Sequence, residues 1–476
     1  MDKEVNSLKK ATIINAIGKY SKVLLGIIVE VVLARLLTPH DYGIVAVITV
    51  FTTFFMVLSD MGLGTAVIQR KDLTKYDIDQ LYTFSVYIAF ILAIVFYIFS
   101  FVISSFYENV IYIRIGHLLS ISLFFNTLNM VPNGVLNRQK LFVTIAIRTL
   151  VVYTIAAIIT IIVAYLGARY YALVFQTILT SILTFFWNIK TTKLKFKIKY
   201  DNRPLKSVAN YSGFQFAFNL LNYFSRNLDS LLAGRFIGST LLGYYNKAYT
   251  LMQYPISNLT GVITPVLHPI LSDYQNNKDI LYEKYMQVVK LLTAVGIWAE
   301  AICIFAGSEI IYIMYGNKWN NSVICFQLLA ISIATQMINS SSGAAFQALS
   351  NTRLLFIQGI LNTFITVVAI IVGVFYGKTI YALALYVSLS FLANFIVSFF
   401  FLVHFAFEKK FLIFLREMSP YIFVGVVVSF SCIIYPAHFN NIVLSLIFKL
   451  IYVTIVYLIA LTLSGQTKLV FKLIFK

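Results

Sequence analysis

Apolar runs about 20 residues long follow one another along almost the whole chain, and that is the length a helix needs to cross the hydrocarbon core of a bilayer. In order they are Thr12–Leu37, Asp41–Gly64, Gln80–Phe106, Ile113–Leu136, Thr144–Leu166, Tyr170–Ile189 and Lys206–Phe236. The series continues with Leu241–Leu271, Tyr285–Phe305, Asn320–Leu349, Thr352–Tyr376, Thr379–Phe405, Met418–Tyr435 and Ile442–Leu463. Of the 476 residues, 12% are charged, about half the roughly 25% typical of soluble domains. The chain therefore reads as an all-α integral membrane protein with about 14 transmembrane helices. The longest polar connector, Lys190–Lys206, is too short to fold alone. Lys19 and Lys22 interrupt the first run, which argues against a cleaved signal peptide, so this run is expected to stay as the first span.

The net charge of +19 follows the membrane rather than a nucleic acid. With the amino terminus inside, about 25 Lys and Arg fall in cytoplasmic segments and roughly six in outer loops, as the positive-inside rule requires. An even span count puts the basic tail "KLVFKLIFK" inside as well, so both termini are expected in the cytoplasm. Cys303, Cys325 and Cys432 lie in or beside apolar runs, and the five histidines are scattered. Neither pattern suggests a disulfide framework or a metal site. No glycine-rich phosphate loop is present, so ATP hydrolysis is not expected.

A repeat is visible in the numbering. "LARLLTPHDYG" (Leu33–Gly43) precedes "AGRFIGSTLLG" (Ala233–Gly243), with Arg35 matching Arg235 and Gly43 matching Gly243. "LLSISLFFNTLN" (Leu118–Asn129) aligns with "LLAISIATQMIN" (Leu328–Asn339), an offset of 328 − 118 = 210. The expected plan is an N-lobe over 1–190 (helices one to six), a basic cytoplasmic linker over 191–205 and a C-lobe over 206–405 (helices seven to twelve). Two added helices and a basic tail occupy 406–476. Six is even, so the lobes form a parallel repeat of the kind found in transporters, with a cavity expected between them.

Buried polar residues point the same way. Gln215, Asn219, Asn222, Arg226 and Asp229 of helix seven stay within roughly 80° of one another at about 100° per residue. Asn15, Lys19, Lys22, Gly26 and Glu30 form the matching stripe on helix one. A charge in mid-membrane costs about 2.5–3.5 kcal/mol on insertion scales, and two such stripes at repeat-related positions indicate a water-filled cavity wall. Lys247 and Glu300 are further intramembrane candidates. Other readings stay open: Lys19 can snorkel to the surface, Glu30, Asp229 and Arg235 can sit at the outer headgroups, and Arg226 can pair with Asp229. Uncharged stripes on helix four (Asn126, Asn129, Asn133, Asn137), helix eight (Asn246, Thr250, Gln253, Ser257) and helix ten (Gln336, Ser340, Gln347) suit either interhelical hydrogen bonds or sugar hydroxyls.

"ARLLTPHDYGIVAV" (Ala34–Val47), "SDMGLGTAVIQR" (Ser59–Arg70) and "LDSLLAGRFIGSTLLGYYNKAYTLMQYP" (Leu228–Pro255) resemble the polysaccharide transporter, or Wzx-like flippase, family. That family belongs to the multidrug, oligosaccharidyl-lipid and polysaccharide exporter superfamily. The resemblance implies a bacterial cytoplasmic-membrane protein that turns undecaprenyl-pyrophosphate-linked oligosaccharide repeat units to the outer leaflet by alternating access. It also implies coupling to a proton or sodium gradient, no other cofactor, and partnership with the polymerase and glycosyltransferases of its pathway. Within that frame Lys19, Lys22, Arg226, Lys247, Gln215, Asn219 and Asn222 are the candidate contacts to pyrophosphate and sugars. Glu30, Asp229 and Glu300 are candidates for the coupling ion, and Arg35, Asp41, Asp60 and Arg235 for helix ends and gates. A multidrug exporter of the same superfamily is the alternative, although cationic drugs favour an acidic cavity. A membrane polymerase or acyltransferase is a third reading, which the short, sparsely charged outer loops disfavour.

Overall fold

A computed structural model describes residues 2–60, 63–197, 226–275, 277–435 and 439–467, with positions 201, 203 and 223. Every regular element among the described residues is helical. The chain divides into two compact units, Met1–Arg235 and Phe236–Lys476.

The first unit contains α1 (Asp2–Leu36), α2 (Pro39–Asp60), α3 (Leu63–Gln69), α4 (Lys75–Tyr107), α5 (Ile111–Leu128), α6 (Met130–Arg138), α7 (Phe142–Tyr165) and α8 (Tyr170–Thr192). The helical residues 226–236 are called α9. The second unit contains α10 (Ser239–Ser272), α11 (Lys278–Phe305), α12 (Gly307–Tyr315), α13 (Asn320–Ala330), α14 (Ile333–Asn339) and α15 (Ser342–Ala348). It ends with α16 (Thr352–Phe375), α17 (Ile380–Phe400) with a π-helical turn (Phe401–Ala406), α18 (Phe411–Ile434) and α19 (Ile442–Leu463).

Two helix starts show how local sequence sets these bounds. In Thr38-Pro39-His40-Asp41, the Asp41 carboxylate accepts from the Thr38 N–H at 2.9 Å, and the Thr38 hydroxyl accepts from the Asp41 N–H at 3.3 Å. Pro39 takes the first helical position, where its missing N–H is not needed. Thr74 and Asp77 repeat the device at the start of α4. Packing then selects small residues at crossings: a Cβ on Gly116 of α5 would fall 2.4 Å from the Cβ of Ser100 on α4.

Among the described residues, ten helical stretches are long and apolar enough to cross a membrane, or eleven if one bent pair counts as a single span. Large apolar side chains such as Phe364 (65% exposed) and Ile98 (59%) face outward along them, a surface that only lipid accommodates at this scale. The chain is a multi-pass membrane protein. The fourteen expected runs do not map one to one onto these spans. Runs one and eight form the long helices α1 and α10, which are not among the ten, and run seven lies largely outside the described residues. Run four is two helices, α5 and α6, and run ten is three, α13, α14 and α15, because polar residues divide them at Asn129, Ser332 and Ser340. The break at Asn129 corresponds to Asn339, since 129 + 210 = 339, and the break at Ser340–Ser341 begins one residue after it. The break at Ile331–Ser332 has no such counterpart, since Ile121 and Ser122 lie within α5.

Candidate functional site

Of the residues expected to line a cavity, Gln215, Asn219 and Asn222 lie outside the described residues, as do the side chains of Lys19 and Asp60. Lys22 on α1 and Arg226 on α9 are both exposed. Among the described residues neither forms an ion pair. Among the described residues each is thus an exposed cation without a neutralising carboxylate, and inside a membrane such a charge usually marks a ligand pathway. On α1, Val29 and Leu33 lie within about 20° of Lys22 around the helix and pack against Ala157 and Ala164 of α7, so the side that carries Lys22 turns to α7 further along the helix. Glu30 is half-buried. Asp229 is 6% exposed, and its carboxylate accepts from the Ser230 N–H at 2.7 Å.

The expected helix-end residues are engaged at helix ends. Asp41 caps α2 and lies 3.9 Å from the Arg169 guanidinium. Arg235 pairs with Glu108, the residue ending α4, at 2.6 Å, and lies 5.8 Å from the Phe106 ring centre. Tyr107 adds a hydrogen bond to the Leu231 carbonyl at 3.0 Å, and the Tyr223 hydroxyl donates to the Val50 carbonyl. The residues around α9 are thereby tied to α2 and α4 within the first unit. Arg35 is exposed.

In the second unit Lys247 is 4% exposed, with its ammonium 5.4 Å from the Tyr315 ring centre and 5.8 Å from that of Trp319. These aromatic faces stabilise a desolvated cation. Glu300 of α11 faces a cavity of about 640 Å³ bordered by α11, α14, α17 and α18. Its carboxylate accepts from the Ala334 N–H at 3.0 Å.

Several polar groups missed in the sequence are structural hubs. Arg148 of α7 donates to Asn133 at 2.8 Å and to Asn188 of α8, while Asn188 donates to Asn129 at 2.9 Å. Two members of the helix-four stripe thus join helices, as do Gln253 and Gln336, which meet at 3.4 Å. Lys449 of α19 pairs with Glu309 of α12 at 2.6 Å. Buried Asp79, Gln80 and Thr83 of α4 accept the backbone N–H groups of Lys195, Asp201 and Lys197, respectively, at 2.9–3.1 Å. Phe196 packs on Tyr87 and Leu194 on the core around Leu81, so the basic linker begins as a strap bound to α4. A charge inside an apolar run, as at Arg148 and Lys449, was the available signal.

A family model described as "Polysaccharide biosynthesis protein" matches residues 32–324. The chain belongs to that family. Its relatives include an uncharacterized membrane protein in the cps region of Klebsiella pneumoniae, 25% identical over 83% of this chain and 82% of that protein. The lipopolysaccharide biosynthesis protein WzxC of Escherichia coli (strain K12) is 24% identical over 73% of this chain and 71% of its own length. The teichuronic acid biosynthesis protein TuaB of Bacillus subtilis (strain 168) is 25% identical over 64% of each. The fold is similar to that of a protein described as "Lipid II flippase MurJ, inward closed conformation", with a TM-score of 0.72 at 17% identity over 95% of this chain and 98% of that one. An inward-facing multidrug resistance MATE family transporter of the MOP superfamily shares it at a TM-score of 0.63 and 14% identity, over 79% and 92%. In this member of the polysaccharide biosynthesis family, Arg226, Arg235, Lys247 and Glu300 lie within the matched region. Lys19, Lys22 and Glu30 precede it, and α16 to α19 follow it.

Proposed function

We propose that the chain is a flippase of surface-polysaccharide biosynthesis. It turns undecaprenyl-pyrophosphate-linked oligosaccharide repeat units from the inner to the outer leaflet of the bacterial cytoplasmic membrane by alternating access, coupled to an ion gradient. Membership of the polysaccharide biosynthesis family supports the pathway, and the MurJ-like fold supports the class of movement. The observation that carries the reading is the pair of exposed cations, Lys22 and Arg226, neither of which forms an ion pair among the described residues. A pyrophosphate in a low-dielectric site attracts such cations far more strongly than in water, and guanidinium matches phosphate oxygens in geometry. A carrier for cationic drugs gains nothing from them. In this account the chain makes and breaks no covalent bond, both termini are cytoplasmic, and pathway glycosyltransferases and the polymerase supply and consume its cargo.

The test is a count of lipid-linked repeat units in cells lacking the chain, complemented by the native protein or by Arg226→Ala. Repeat units held on the cytoplasmic side, cleared by the native protein but not by a normally folded Arg226→Ala, are expected. Normal surface glycan in the deletion strain, with new drug sensitivity and no second flippase, would replace this reading with drug export.

A further inference from the structure

Helix α11 passes α14 so closely that a Cβ on Gly296 would lie 2.8 Å from the Ala334 Cα. One turn later Glu300 reaches the same residue, and its carboxylate accepts the Ala334 N–H at 3.0 Å. Ala334 is the second residue of α14, and first-turn N–H groups have no acceptor within their own helix. The contact therefore sits on a break in the chain: the stretch Asn317–Ala330 is bent by 49° against Ile333–Ala348.

Two further observations separate this place from ordinary helix packing. The cavity beside it, about 640 Å³, is walled by apolar side chains such as Ile297, Ile338, Phe395 and Phe414, and Glu300 is the one carboxylate among its described lining residues. The repeat supplies the contrast. At the offset of 210, Glu300 corresponds to Phe90 and Ala334 to Phe124, which touch in the first unit with ring centres 4.7 Å apart. There α5 runs unbroken, so the carboxylate and the extra break occur together in one repeat and are both missing from the other.

We propose that Glu300 is a proton-binding site that acts on the break between α13 and α14. The role in transport rests on the flippase reading above; the titration and its effect on the bend belong to the fold itself. The proton is the ion of choice because hard metal cations need several oxygen ligands. Besides Glu300 the polar side chains in the described cavity wall are the scattered hydroxyls of Thr293, Thr335 and Ser429, and no cluster of acidic, His or Cys groups that could hold a metal occurs among the described residues. When ionised, the carboxylate is a strong acceptor that clamps the Ala334 N–H. When protonated, it is a weaker acceptor and brings a new O–H, so the clamp on the bend loosens.

The surrounding ionisable groups leave Glu300 as the one free to respond. Cys303 lies one turn along α11. On α18 Glu417 pairs with Lys290 at 2.7 Å, while Arg416 falls between the lining residues Leu415 and Met418 without lining the cavity itself. On α19 the Tyr457 hydroxyl donates to the Ala294 carbonyl, and Lys449 is held by Glu309 of α12. On α10 Lys247 lies against Tyr315 and Trp319, and α13 brings the buried Cys325. From α14 and α17 no ionisable side chain lines the cavity.

The test uses the full chain in lipid nanodiscs. Infrared difference spectra across pH are recorded for the native protein, for Glu300→Gln and for Glu300→Asp. Nitroxide pairs at Ile324→Cys and Gln347→Cys, in a background with the native cysteines replaced, report the bend. A protonated-carboxyl band that titrates in the native protein, is lost in Glu300→Gln and is displaced in Glu300→Asp is expected. Its ionised-to-protonated ratio changes about tenfold per pH unit, and the nitroxide distances follow it unchanged by sodium. Glu300→Gln is expected to hold the low-pH distances at every pH. A band that survives Glu300→Gln, distances that ignore pH in the native protein, or a sodium dependence of either overturns the proposal. If Glu300→Gln fails to fold, the displacement in Glu300→Asp decides. Failure of the native protein to flip lipid, with this titration intact, counts against the proposed function alone.

Discussion

Lys449 and Glu309 form an ion pair at 2.6 Å that fastens α19 to α12 inside the second unit. Ser445 donates to the same carboxylate at 2.7 Å, and the ammonium also reaches the Phe305 carbonyl at 3.1 Å and lies over the Phe305 ring. All four partners sit in apolar surroundings, where removing one charge strands the other. Lys449→Met is therefore expected to lower stability by about 3–5 kcal/mol. The double change Lys449→Met with Glu309→Gln should recover most of that loss, read as thermal unfolding in detergent. Equal losses in the single and double variants would show that packing, not charge, holds α19.

A second ion pair behaves differently because it is exposed. The Arg235 guanidinium hydrogen-bonded to Glu108 holds that carboxyl below the usual carboxylate range. A depressed folded-state value means that the stabilisation is present above the unfolded value, about 4.3, and is lost as pH falls through the lower folded value. Unfolding temperatures of the native protein and Glu108→Gln should thus differ at neutral pH and converge in acid. Curves that stay parallel to the acid limit would contradict this.

The strap formed by the start of the basic linker gives a proteolytic prediction. Thr83→Val and Gln80→Leu each remove the acceptor of one linker N–H group. At about 1 kcal/mol per bond, each should raise local opening, and tryptic cleavage at Lys195 and Lys197, roughly fivefold. Unchanged cleavage would mean that the Phe196 and Leu194 packing alone secures the strap.

Gly296→Val places a branched side chain where α11 meets the Ala334 backbone. Overpacking at such a crossing costs about 1–3 kcal/mol, and here it must also separate Glu300 from its N–H donor. The variant should therefore unfold at lower temperature and lose the pH response of the bend. Retention of that response would place the coupling elsewhere.

These contacts show what the sequence makes legible and what it hides. The membrane class was plain in the apolar runs, and the Thr38-to-Asp41 helix start could be read because both partners lie within four residues. The break at Ile331–Ser332 could not. "LLAISIAT" contains neither Gly nor Pro, and the group that satisfies the freed N–H comes from Glu300, on another helix. Arg148 was visible as a charge in an apolar run, yet its partners Asn133 and Asn188 become neighbours only after α6, α7 and α8 have packed. The uncharged stripes left two readings open for the same reason: periodicity shows that Asn129 and Gln336 share a face with other polar groups, but not whether that face meets a cavity or a neighbouring helix.

The most direct measurement is translocation of a fluorescent undecaprenyl-pyrophosphate oligosaccharide across proteoliposomes holding the purified chain, the Lys22→Ala, Arg226→Ala double variant, or no protein. Transport by the native chain is expected, with at least a tenfold loss in the double variant at an unchanged unfolding temperature, corresponding to about 1.4 kcal/mol or more of lost interaction with the charged headgroup. Translocation no faster than in protein-free vesicles, or equal rates with and without the two cations, would contradict the account.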